Sequence, residues 1–308
     1  MKKLLYILSV FVLFSCEDDI IVQLADADPI LAFDAWIYRK AEKQTINITR
    51  TNAYFDGTAP EGVTGASVLV VDADGTVYPF NEEEPGVYSW LPADEADSFG
   101  TVGQTYFLDV QIEGKQYGSI SKMGRVPEID SITWRFEEGS FGLEDFYVAE
   151  FWARDFEGEG DAYWIKSWKN GTYLNKPTEI NLSFDGAFSP GGNADGLTFI
   201  QPIRDSINPF ETDEDDEFIP PFTGPEEEDS VYVEINSITP EAWFFWNQVI
   251  IQTDRPGSFG ELFATSLANV ESNIQTTDDE QIVGFFCVSA VKGFGRKFTE
   301  DAIREVPE

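Results

Sequence analysis

Between residues 30 and 123 apolar and polar positions alternate in short runs closed by Gly, Asp, Asn or Pro, and a period of two marks half-buried strands. The runs are 30–38 (ILAFDAWIY), 45–49 (TINIT), 66–71 (ASVLVV), 76–80 (TVYPF), 86–90 (GVYSW), 105–113 (TYFLDVQIE) and 116–123 (QYGSISKM). Their β-branched and aromatic residues suit a pleated surface packed on one face. Seven such strands within about a hundred residues predict a sandwich. Asp72-Ala73-Asp74-Gly75 and Glu113-Gly114-Lys115 read as hairpin turns in which glycine supplies a positive φ. Asp72 and Asp74 are also spaced as the opening of a calcium loop, but Val77 and Tyr78 follow where more oxygen ligands are needed.

Met123-Gly124-Arg125-Val126-Pro127 breaks the pattern and marks a domain boundary. Beyond it the strand candidates are 131–137, 146–155, 162–168, 179–184, 197–203, 230–238 and 281–291, all assigned to a second β region. The predicted fold class is all-β: two β-sandwich domains, the N-terminal one (30–125) immunoglobulin-like or transthyretin-like, the C-terminal one (126–303) larger and carrying one packed helix. That helix, near 239–252, is announced by Thr239 as N-cap, Pro240 at the first helical position and Glu241 in the first turn. Ala242, Phe245, Trp246 and Val249 fall on one stripe, as expected of a helix plugging an open end or face of the second sandwich. Its aromatics, with Trp152, Trp164, Trp168 and Trp243, read first as core packing, with stacking on a sugar or peptide ligand as the alternative.

Residues 205–229 contain ETDEDDE (211–217) and EEED (226–229) punctuated by four prolines, so an extended, mobile loop is expected there, solvated or else gathering calcium or a basic partner.

The opening of the chain follows different rules. Lys2 and Lys3 precede an apolar stretch from Leu4 to Phe14, too short for the roughly 20 residues of a membrane span. Leu13-Phe14-Ser15-Cys16 resembles the lipobox of bacterial lipoproteins, which implies removal of residues 1–15 and acylation of Cys16; a plain secretory signal is the alternative. Glu17, Asp18 and Asp19 resemble the tag that directs lipoproteins of the Bacteroidota to the outer face of the outer membrane, although a merely solvated tether over 16–29 would read the same way.

Composition narrows the chemistry. The 308 residues carry 20 Lys+Arg against 56 Asp+Glu, a formal charge of -36, and loss of the leader would remove two lysines and no acid. Such a field repels nucleic acid and anionic headgroups. There is no histidine, which removes the usual Ser-His and Cys-His nucleophiles and His-ligated zinc. With Cys16 assigned to lipid, Cys287 has no disulfide partner and reads as a buried apolar residue. No cofactor, metal or catalytic set is called for.

Over nearly its whole length the chain resembles a family of outer-membrane lipoproteins of Bacteroidota, of unassigned function, commonly encoded beside starch-utilisation-type TonB-dependent receptors. The matching residues include Cys16, Thr51 to Asp56, Gly65-Ala66, Gly103 to Tyr106, Pro127 with Ile129 to Ser131, Asp155, Gly158 to Gly160, Tyr163, the helix from Thr239, Asn273-Ile274 and Gly284 to Phe286. Gln275 to Gln281 departs from it, being polar and acidic where similar proteins have a glycine-rich turn. Asp-Ser-apolar triplets at Ser131, Ser206 and Ser230 also resemble O-glycosylation sites of this phylum. The resemblance implies a lipid-anchored subunit facing the cell exterior that captures a glycan or peptide for a TonB-dependent transporter. A structural or adhesive subunit of an outer-membrane assembly is the alternative, and a carboxylate-based hydrolase is disfavoured because no motif pairs two of the 56 acids.

Overall fold

The computed structural model describes residues 28–53, 56–94, 98–139, 143–214, 217–255, 264, 268–278 and 280–305. The leader, Cys16 and Glu17 to Asp19 lie outside them. Among the described residues twenty strands and two α-helices follow one another. The first eight strands are β1 Leu31–Tyr38, β2 Gln44–Arg50, β3 Glu61–Gly62, β4 Ser67–Asp72, β5 Val77–Glu84, β6 Val87–Trp90, β7 Thr105–Ile112 and β8 Lys115–Lys122. Then come β9 Ile129–Glu137, β10 Phe146–Ala153, β11 Ala162–Lys169, β12 Thr172–Leu174, β13 Asn181–Phe184, α1 Gln201–Asp205, β14 Glu211–Thr212, β15 Phe218–Ile219, β16 Ser230–Ile238 and α2 Pro240–Thr253. The chain closes with β17 Gln275–Thr276, β18 Ile282–Ser289, β19 Val291–Lys297 and β20 Ile303–Arg304.

The expected strands up to residue 123 form, and they curl into a sandwich close to a barrel in the order β17-β8-β7-β4-β5-β6-β2-β1-β18, with β3 on β2. Two of those nine come from the far end of the chain. β18 pairs in parallel with β1 over its full length, Leu31 opposite Ile282 through Tyr38 opposite Ser289. Residues 281–291 therefore do not form one strand of the second region, as expected: the run breaks at Ala290, and β19 alone joins the second sandwich, antiparallel to β16. A parallel pair needs a long connection, and here everything from β2 to β17, most of the second sandwich included, is that connection.

Asn273 closes the seam. Its side chain donates to Phe286 O (2.8 Å) and accepts from Phe286 N (2.9 Å), imitating a paired backbone beside β18. Ser121 Oγ in β8 accepts from Val288 N, so the two edges of the sheet meet.

The second sandwich sets β10-β9-β20 against β12-β11-β16-β19, with β13 beside β11. Trp134, Phe151, Tyr163, Ile165, Val233 and Phe298 share its core. The stretch 197–203 is not the expected strand, because Gln201-Pro202 opens α1 and Ile203 plunges into that core. The acidic stretch is likewise less free than its charge predicts. Ile207 and Phe222 are buried, β14 pairs with β15, and the Asn208 side chain caps both backbone groups of Ala149 at 2.8 Å.

A third core welds the sandwiches together. Alternation along β18 sends Phe286 and Val288 into the first core and Phe285 and Cys287 outward, where they meet Trp36 of β1. From the other side come Ala162, Trp164, Leu182 and Ile238, and between them lies α2. Thr239 caps that helix by accepting from Ala242 N, as expected. Its aromatic stripe covers the outer face of β11 and β13, as expected, and also reaches the first sandwich: Trp246 lies 4.2 Å from Trp164 and 5.3 Å from Trp36, ring centre to ring centre. Cys287 is fully buried there.

Candidate inter-sandwich cleft

Alternation along β7 and β8 should make the outward face polar, since Tyr106, Leu108, Ser119 and Ser121 point inward. Instead Phe107 and Ile120 stand opposite one another on that face, 40% and 63% exposed. An apolar cross-strand pair left in water is a marker of a surface meant to be covered. With Val102 it forms one wall of a cleft of about 1070 Å³ between the sandwiches. The boundary segment Met123 to Arg125, the end of β16 and the first residues of α2 make the floor and opposite wall.

Hydrogen bonds, an ion pair and a shared apolar core hold the joint that shapes this cleft. Ser237 Oγ donates to Gly124 O and accepts from Ala290 N, tying the crossings at Gly124 and Ala290 to one hydroxyl. Lys40 Nζ in the first sandwich reaches Glu234 in the second at 2.8 Å. Arg125, at the cleft's edge, grips Asp161 through Nε and Nη2 and the carbonyls of Glu157 and Gly158. That guanidinium thereby fixes the loop 156–161 against the boundary segment. Lys122 and Glu241 add one charge of each sign to the lining. An apolar wall with a few charges around it suits an amphipathic occupant rather than a polyanion.

A family model matches residues 17–293. The chain belongs to the DUF4249 family, a domain of unknown function. No curated protein matches it. The DUF4249 match takes in the first sandwich, α2 and the second sandwich as far as the start of β19. Among the described residues no helix of this DUF4249 chain is long and apolar enough to cross a membrane.

The residues singled out by sequence scatter over the fold rather than gather in the cleft. Trp164 and Trp243 lie in the joint, at 8% and 6% exposure. Beside Trp164, Lys166 is held between its ring and that of Tyr38, 4.0 and 4.2 Å from the centroids, and burial pushes its amine down to about 8. Trp152 donates to Thr133 Oγ1 and carries the Arg204 guanidinium over its ring at 4.1 Å. Trp168 stacks on Tyr173 at 4.9 Å, on the outer face of β11 and β12. Ser131 is half-buried in β9, Ser206 is exposed after α1, and Ser230, half-buried, begins β16 with its backbone N–H held by Asn170. Sequence reading missed Phe107 and Ile120, although TYFLDVQIE and QYGSISKM both show an apolar residue in the polar phase.

Proposed function

We propose that this chain is a surface-exposed outer-membrane lipoprotein, anchored through Cys16, that serves a TonB-dependent transporter as an accessory, ligand-capturing subunit. The observation that carries the reading is the cleft: an apolar pair, Phe107 and Ile120, exposed on an otherwise ordinary sheet face beside the packed joint between the sandwiches. Its volume of about 1070 Å³ accommodates a short peptide or sugar segment, or a loop of the transporter itself. The lipobox-like leader and the acidic residues after Cys16 support the placement. The absence of histidine and of a paired-carboxylate motif in the sequence favours binding over catalysis.

The test is recovery from gently solubilised membranes. The wild-type chain should copurify with a TonB-dependent receptor, and Ile120→Asp should lower that yield roughly thirtyfold, the effect of losing a contact worth about 2 kcal/mol at an interface centre. Ile120 makes no core contact, so the melting temperature should stay the same. Recovery of the wild-type protein alone overturns the proposal.

A further inference from the structure

Three carboxylates that sequence spacing keeps far apart meet at one end of the second sandwich. Asp155 follows β10, Asp185 follows β13 and Asp195 lies in the loop before α1, and they offer oxygens no more than 4.8 Å from one another. Asp155 and Asp185 are 3% and 5% exposed, while Asp195 faces solvent. Among the described residues no lysine or arginine forms an ion pair with any of the three; Arg125, the nearby cation, is engaged by Asp161.

Each carboxylate has one oxygen fixed by the protein. Tyr163 donates to Asp155 Oδ1 at 2.6 Å, the backbone N–H groups of Gly160 and Asp161 donate to Asp185 Oδ1 at 2.7 and 2.8 Å, and Gly158 N donates to Asp195 Oδ2 at 3.3 Å. The other oxygen of Asp155, Oδ2, is buried without a hydrogen-bond partner. A buried, unpaired carboxylate oxygen costs several kcal/mol unless something positive satisfies it.

We infer that Asp155, Asp185 and Asp195 form a binding site for a hard divalent cation of the calcium class. Ca–O distances of 2.3–2.6 Å let two oxygens on one ion lie up to about 4.6–5.2 Å apart, and oxygens of the three carboxylates lie within that limit of one another. Oxygen-only ligands exclude a preference for zinc or copper. The held oxygens aim the free ones, as outer hydrogen bonds do at metal sites. The exposed Asp195 supplies the way in. The site also ties loop 156–161, and with it the Arg125 edge of the cleft, to the strand ends at Asp155 and Asp185.

The test uses the full chain in detergent, freed of metal with a chelator. Calorimetric titration with CaCl2 should show one tight equivalent, and Tb3+ should give luminescence sensitised by Tyr163, whose hydroxyl is bonded to Asp155. Asp185→Asn should abolish both signals. Asp195→Asn, an exposed change that leaves folding intact, should weaken calcium roughly tenfold by removing one ligand charge. Glu226→Gln with Glu227→Gln, in the acidic stretch, should leave the titration unchanged. Lack of a calcium equivalent in the wild-type chain, or a titration that Asp195→Asn leaves unaltered, overturns the inference. The receptor test reads a different surface, so either proposal can fail without the other.

Discussion

Replacing Glu150 with Gln is expected to destabilise the second sandwich by about 3–5 kcal/mol, the cost of breaking a buried ion pair from one side. Glu150 is fully buried on β10, and three arginines from three elements converge on it. Arg304 of β20 donates to Oε2 from Nε at 3.1 Å and Nη2 at 2.8 Å, Arg204 of α1 reaches Oε1 at 3.3 Å, and Nε of Arg135 on β9 stands 3.7 Å from Oε2. The carboxylate holds the chain's last strand and α1 to the sheet. Gln keeps the size but leaves guanidinium charge in a site that excludes water. Asp205 and Glu137 pair directly with Arg135, and Asp205 lies within electrostatic reach of Arg204 as well. Urea unfolding at neutral pH measures the change; a loss below about 1 kcal/mol, the range of exposed pairs, would mean the cluster is solvated.

The second large effect is expected at Gly284. Its φ of +98° lies where side chains are rarely tolerated, and a Cβ there would sit 1.8 Å from Phe33 O, across the parallel pair of β1 and β18. Backbone strain and overpacking each cost about 1–3 kcal/mol, so Gly284→Ala should lose about 3 kcal/mol or more, or prevent folding. Gly114→Ala separates the two causes. Gly114 also has a positive φ, +84°, but nothing lies within 4 Å of its would-be Cβ. It should lose only the strain, about 1–2 kcal/mol. Thermal melts of the two variants side by side decide the matter; equal losses would mean that β1 and β18 do not approach as closely as the parallel register requires.

Much of the fold was legible, and the gaps have identifiable causes. The short strands up to residue 123, both hairpin turns and the helix with Thr239 as its cap follow from local chemistry, because each signal lies within a few residues. The destination of β18 did not follow, because its partner β1 lies some 250 positions earlier and nothing local names it. A hint was present: IVGFFCVSA is apolar in both phases, as befits a strand buried on both faces, whereas most other strands show one wet face. The run 197–203 read as a strand from its Thr and Ile, yet Pro202 is favoured in a first helical turn and Ile203 needed an inward turn. The charge of 205–229 masked Ile207 and Phe222, two apolar anchors among acids.

The candidate sites were less legible than the fold. Phe107 and Ile120 are two apolar letters in the wrong phase, a signal that appears only once the strand's inner face is known. Asp155, Asp185 and Asp195 come from three loops and share no motif. The four tryptophans held as stacking candidates were conspicuous by type alone, and their neighbours are the protein's own rings and cations.

A photo-crosslinking residue placed at position 120 and activated on intact cells tests the central claim most directly, with the same residue at Glu82, an exposed site on β5, for comparison. The account predicts a covalent adduct with a TonB-dependent receptor from position 120 and none from position 82. An absence of receptor adducts from position 120, or equal adducts from both positions, would contradict it.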